Sequence, residues 1–307
     1  MTTEAAQAKY KMGDRELELN GKYLGMLRDS NDLLQDIPAL RQRFEEDGYM
    51  LLRGVQPREK VQAARTAILE NLASNGQIDP AHPLDEAVVG QTGRGSFLGG
   101  QKQMTRHPKF LELVESPEIM SFFDRLFGKK AITFDYKWLR AVGKGDFTGA
   151  HYDVVYMGRG AIRNLFTCWT PLGDVSLEQG PLVLLQGSHN LESYRKLRET
   201  YGKMDVDRDN VSGWFSNDPV DMVERFGGHW RTTEFKMGDV LIFGMFTMHG
   251  SLRNQTNRYR LSSDTRYQPF DEPVDDRWVG ADPKAHYAWG KSAPSVSMEE
   301  QRKKWGV

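Results

Sequence analysis

The feature that most limits what this chain can fold into is a change of texture near residue 131. Beyond it the sequence breaks into short runs rich in β-branched and aromatic residues, at 131–142, 150–156, 162–171, 182–186, 232–235, 240–244, 247–251 and 259–268, with glycine, proline and polar residues between them. Runs of this kind are strands, and a series of short strands joined by turns closes into a sandwich or barrel. The expected fold is mainly β with flanking α-helices: a jelly roll, or double-stranded β-helix, of the cupin-like type. The helices come from the first half. Residues 30–46 place Leu33, Leu34, Ile37, Leu40 and Phe44 at three- and four-residue steps behind a Ser-Asn-Asp start, and Pro57 opens a second helix to about residue 73. Two more are expected at 108–115 and 117–127, and the short apolar run 49–52 reads as a strand.

One segment breaks the strand rhythm, and one lies between the helices of the first half. Residues 191–228, charged and helical in two pieces (194–201 and 220–226), form an insertion suited to a lid or binding loop. GQTGRGSFLGG at 90–100 lacks the spacing and the βαβ surroundings of a nucleotide loop, so a mobile loop is expected there. There is no repeat and no low-complexity tract. The 307 residues therefore read as one domain: a helical scaffold over about 1–130, a jelly-roll core over about 131–270 carrying the insert, and a surface wrap over 271–307.

Charge narrows the partners. With 41 Lys+Arg against 42 Asp+Glu, the chain has no cationic excess to displace counterions from nucleic acid or to meet anionic lipid. Its longest apolar stretch, 240–246, falls far short of the roughly 20 residues of a membrane helix. The first thirty residues lack the apolar segment of a secretory leader, and a single cysteine, Cys168, rules out an internal disulfide. A cytoplasmic protein acting on a small molecule is the expectation, with nothing bearing on oligomeric state.

The residues that carry chemistry are His151-Tyr152-Asp153 and, far downstream, His249. On a strand, positions i and i+2 share a face, so His151 and Asp153 can meet one ion together, and a histidine from a neighbouring strand completes the set. Two neutral imidazoles and one carboxylate on one face of an octahedron suit Fe(II) and leave positions open, unlike a closed structural zinc site. Following His249, Arg260, Ser262 and Asp264 alternate along an expected strand. A guanidinium with a hydroxyl beside it can receive a carboxylate through paired charge-assisted hydrogen bonds, which suits a keto acid. Arg260 is the preferred anchor and Arg258, on the same strand face, its competitor. The other histidines (His82, His107, His229, His286) read as surface or hydrogen-bonded groups, and His189 as holding a turn. Cys168 reads as a buried, inert thiol, and Trp138, Phe166 and Phe243 as core.

Three stretches together resemble the phytanoyl-CoA dioxygenase family of Fe(II)- and 2-oxoglutarate-dependent oxygenases: HYD at 151–153, EQGPLVLLQGSHN at 178–190 and HGSLRNQTNRYRLSSDTRY at 249–267. The resemblance implies a double-stranded β-helix, with His151, Asp153 and His249 as iron ligands. It also implies Arg260 on the far carboxylate of 2-oxoglutarate, Ser251 assisting it, and Trp169 lining that pocket. The approach to His151, AVGKGDFTGA, departs from the family pattern on the substrate side. Because Asp153 is intact, the resemblance favours hydroxylation or another oxidation, using O2 and releasing succinate and CO2, over halogenation. The competing function is a jelly-roll protein that binds a metal or small molecule without turnover. Retention of all three ligands together with Arg260 argues against it.

Overall fold

A computed structural model describes residues 8–98, 101–287 and 296–307. The strands in chain order are β1 (Lys9–Met12), β2 (Arg15–Glu18), β3 (Leu24–Met26), β4 (Tyr49–Leu52), β5 (Ser96–Phe97), β6 (Ala131–Thr133), β7 (Trp138–Val142), β8 (Phe166–Pro171), β9 (Leu182–Gln186), β10 (His229–Thr232), β11 (Val240–Gly244), β12 (His249–Ser251) and β13 (Arg260–Pro269). Seven of them form a large sheet in the order β4-β11-β8-β13-β7-β5, with β6 paired to the far end of β13; β12-β9-β10-β3 form the smaller sheet. This is the jelly roll expected from the run pattern.

Period-two alternation sorts the side chains of the large sheet. On β8, Phe166 and Cys168 join a cluster with the helices Ile37–Asp47 and Pro117–Phe127, while Trp169 packs with Leu182 and Leu184 of the small sheet. On β11, Val240 and Ile242 face the helices and Leu241 and Phe243 face the other sheet. The helices therefore cover the outer face, and the inner faces of the two sheets enclose the interior.

Several boundaries differ from the sequence reading. The run 131–142 is two strands, β6 and β7, and 232–235 is displaced: the strand is His229–Thr232, with Phe235 making a separate bridge to Val175. The first helix begins at Ile37, capped by the Asp36 side chain, after a short 3-10 turn at Asn31–Leu33. The strand expected at 49–52 is present as β4, at the edge of the large sheet, and the first half supplies a further strand, β3, that extends the small sheet. Within 90–100, β5 pairs with β7, while residues 99 and 100 lie outside the described residues. The run 150–156 is not a strand: Ala150 and His151 make isolated bridges, and the chain turns into the helix Val154–Met157.

The insert 191–228 buries Tyr194, Leu197, Tyr201, Phe215, Met222 and Phe226 in a cluster that also holds Tyr10 and Val307. A buried ion network ties the C-terminal segment to it. Arg277, 1% exposed, lies among Asp205, Asp207 and Asp275, and also donates to the Tyr156 carbonyl at 2.9 Å. Removing one member of a buried network strands the others without compensation, which costs about 3–5 kcal/mol. Arg277→Met should lower the midpoint of urea unfolding by a corresponding amount. Breaking the exposed Lys129–Asp271 pair with Asp271→Asn should change stability by less than about 1 kcal/mol.

Candidate active site

The site is assembled by a backbone contact. His151 and His249 form a reciprocal antiparallel bridge, each N–H donating to the other's carbonyl, at 2.9 and 3.0 Å. Because His249 also begins β12, this bridge anchors the 150–153 segment to the small sheet and sets the two rings 4.1 Å apart. The convergence of Asp153 has a different origin from the strand geometry expected. Asp153 adopts a helical backbone (φ −66°, ψ −27°) at the entry to Val154–Met157. Its Oδ1 lies 3.8 Å from His151 Nε2 and 3.7 Å from His249 Nε2.

The hydrogen bonds around these groups leave three atoms for a metal. His151 Nδ1 pairs with the Gly149 carbonyl at 2.8 Å and His249 Nδ1 with the Thr247 carbonyl at 2.9 Å. A carbonyl only accepts, so Nδ1 carries the proton in each ring and the Nε2 lone pair is free. Asp153 Oδ2 accepts from Arg266 Nη2 at 2.9 Å and from the Thr167 hydroxyl, which leaves Oδ1 turned toward the histidines. The three candidate ligand atoms lie within 4.8 Å of one another, close enough for one ion to touch all of them, and all three residues are buried. Burial, reinforced by the neighbouring His249, pushes His151 down to about 3, and burial lowers His249 as well, so both rings are neutral near pH 7. Burial works against the Asp153 carboxylate, but the Arg266 guanidinium and the Thr167 hydroxyl outweigh it and hold the acid below its ordinary range.

The residues expected to receive a keto acid lie on the inner faces of both sheets. Arg260 is buried; its Nη1 donates to Ser262 Oγ at 2.5 Å and its guanidinium carbon stands 5.7 Å from the Trp169 ring centre. Its Nε has no partner, and it makes no ion pair among the described residues. Burial lowers it to about 10, which leaves it charged at neutral pH. A buried guanidinium met only by a hydroxyl and an aromatic face is a receptor for an anion. Ser251, on β12, accepts from the Thr148 N–H at 2.9 Å and keeps its own hydroxyl proton to donate. Arg258 falls before the strand begins, half-exposed and paired with Glu86 at 2.9 Å.

Beside His151 and Asp153 opens a cavity of about 290 Å³, walled by Trp138, Arg140, Tyr156, Trp214, Arg266 and His286 among others. Gly149 is required at its edge: a Cβ there would lie 2.8 Å from the Trp214 ring and 2.4 Å from the Asn217 side chain. Sequence reasoning missed Arg266, Thr167 and Arg140. The first was within reach, since it continues the alternation of Arg260, Ser262 and Asp264 by one step. Trp138 lines the cavity as well as packing on Trp278, and His286, bonded to Asp207 at 2.9 Å, is part of the wall. The His189 ring does not bond within its own turn but to the Glu45 carbonyl, which ties the turn to the helix Ile37–Asp47.

Comparison with known proteins agrees with this geometry. Residues 44–262 match the family model for phytanoyl-CoA dioxygenase. A 1-deoxypentalenic acid 11-beta-hydroxylase of Streptomyces exfoliatus is 27% identical over 260 residues, covering 78% of this chain and 84% of the relative. In fold, the chain is similar to the non-heme alpha ketoglutarate dependent carbocyclase SnoK from nogalamycin biosynthesis, at a TM-score of 0.56 and 19% identity, over 88% of this chain and 96% of that one. It is likewise similar to the epimerase SnoN of the same biosynthesis, at a TM-score of 0.55 and 18% identity, over 85% and 96%. With the family model spanning most of the chain, the protein belongs to the phytanoyl-CoA dioxygenase family and is an Fe(II)- and 2-oxoglutarate-dependent dioxygenase.

Proposed function

We propose that His151, Asp153 and His249 hold the iron, that Arg260, Ser262, Ser251 and Trp169 receive 2-oxoglutarate, and that the cavity beside His151 holds a small organic molecule whose C–H bond is hydroxylated. The observation that carries this reading is the commitment of every other polar atom of the triad. Both Nδ1 atoms and Asp153 Oδ2 are engaged by protein groups, and only the two Nε2 atoms and Oδ1 converge unpaired by hydrogen bonds. Such a set leaves ligand positions open, which is what an oxygenase needs and a structural metal site does not.

When bound, the iron supplies the activation of O2 that is coupled to oxidation of 2-oxoglutarate to succinate and CO2. The chain's own residues orient and enclose. Arg266 and Thr167 hold Asp153 by one oxygen, so the carboxylate offers the other in a fixed direction. Arg260, without an ion-pair partner among the described residues and backed by the Trp169 face, fixes the far carboxylate of the keto acid, with Ser262 and Ser251 donating beside it. The buried histidines stay neutral, so no proton has to leave them before metal binds near pH 7. The aromatic walls of Trp138, Tyr156 and Trp214 shape the space beside the metal ligands and decide which C–H bond is presented. We read residues 1–307 as one oxygenase unit, supported by a core cluster that joins Tyr10 to Val307. A cytoplasmic setting is supported by the single, buried Cys168; among the described residues no helix is long and apolar enough to cross a membrane.

His151→Ala should abolish succinate formation from 2-oxoglutarate, measured with Fe(II) and O2 present; turnover at the unaltered rate would break the triad assignment. Arg260→Gln should raise the KM for 2-oxoglutarate by about 100-fold, the scale of a lost charge-assisted pair in a buried site. Arg258→Gln, at the exposed position, should leave that KM within about twofold. Thr167→Val should weaken divalent-metal binding by about 10- to 100-fold in a direct Co(II) titration, because Asp153 Oδ2 loses one of its two donors.

A further inference from the structure

The cavity beside the histidines has an apolar mouth and one uncommitted cationic fork. Phe97 and Trp214, each 40% exposed, line it and give the cavity an apolar rim. Trp138 and Met157 continue the apolar surface inward. Two guanidiniums share the wall, and their surroundings differ. Arg266 is engaged on three sides: it donates to Asp153 and to the Asp264 carbonyl and lies 4.2 Å from the Trp138 ring centre. Arg140 gives only its Nε to Asp264, at 2.6 Å, and its terminal nitrogens have no hydrogen-bond partner among the described residues. Its guanidinium carbon stands 5.3 Å from the Phe97 ring centre, so the fork sits directly behind the apolar mouth.

We infer that the substrate is an anionic amphiphile, a compact apolar skeleton bearing one carboxylate, and that Arg140 is the residue that selects for the carboxylate. This rests on the oxygenase reading for the identity of the cavity as the substrate's. Terminal guanidinium nitrogens match the two oxygens of a carboxylate, and the charge-assisted pair is roughly twice as strong as bonds to a neutral acceptor. The skeleton would lie against Phe97, Trp138 and Trp214, and a volume of about 290 Å³ restricts it to a small molecule.

Decahydro-2-naphthoic acid and its primary amide present one skeleton with and without the anion. Calorimetric titration into the protein loaded with Fe(II) and 2-oxoglutarate, without O2, should show the acid binding at least about tenfold more tightly than the amide. Arg140→Gln should bring the two within about threefold of each other, and Arg140→Lys, which keeps the charge but loses the fork, should fall between. Trp214→Ala should weaken both ligands by a similar factor and leave their ratio intact, which separates general damage to the cavity from loss of anion recognition. Equal affinity of acid and amide, no binding of the acid up to about 1 mM, or a ratio that survives Arg140→Gln would each overturn the proposal. So would a rise in the 2-oxoglutarate requirement of Arg140→Gln with the ratio unchanged, since Arg140 would then serve the cosubstrate. Succinate formation by the unaltered protein tests the oxygenase reading separately: its absence alongside an intact ratio sinks that reading and leaves the binding assignment standing.

Discussion

The site depends on a polar row inside a strand that water never reaches. All ten residues of β13 are buried, yet its inner face carries Arg260, Ser262, Asp264 and Arg266, while Leu261 and Tyr267 on the outer face pack into apolar clusters. Burying three charged side chains on one strand is tolerable only where each finds a partner. Arg266 finds Asp153 and Asp264 finds Arg140. Arg260 has a hydroxyl and an aromatic face but no carboxylate, and that imbalance makes its end of the row a place for an anion. One strand thus orients a metal-binding carboxylate at one end and offers a cationic anchor at the other.

The second element is the exchange of backbone hydrogen bonds between His151 and His249. It joins residues that are distant in sequence, one in a segment that belongs to neither sheet and one at the start of β12. The adjacent carbonyls of Gly149 and Thr247 then take both Nδ1 protons, so the same short stretches of backbone fix ring position and tautomer together. The absence of a side chain at Gly149 lets Trp214 close on this backbone. Through that contact the insert between β9 and β10 becomes part of the cavity wall.

Much of this was legible in the chain because it is periodic. Alternation along 259–268 placed Arg260, Ser262 and Asp264 on one face, and the order of HYD, GSH and the distal histidine pointed to the metal site. Extending the same alternation by one step would have reached Arg266. The failures are of another kind. Residues 150–156 contain the β-formers of a strand, but the backbone is taken up by the bridge at His151 and then by the helix from Val154. The Arg258 alternative was undecidable from spacing because it turned on where β13 begins, and strand ends are set by tertiary pairing, here Arg260 opposite Val142.

The sequence by itself determined the inventory and its patterning: short apolar runs that must close into a jelly roll, nitrogen and oxygen ligands with a single buried thiol, and a polar row on one late strand. Those are local properties, written in composition and in a period of two. Only the tertiary structure decided which atom of each group is free. That Asp153 offers Oδ1, that Arg260 lacks a counter-ion and that Arg140 keeps its terminal nitrogens follow from Thr167, Arg266, Trp169 and Asp264 arriving from other strands. Hydrogen-bond satisfaction is a property of the whole packed interior, and no spacing along one chain segment specifies it.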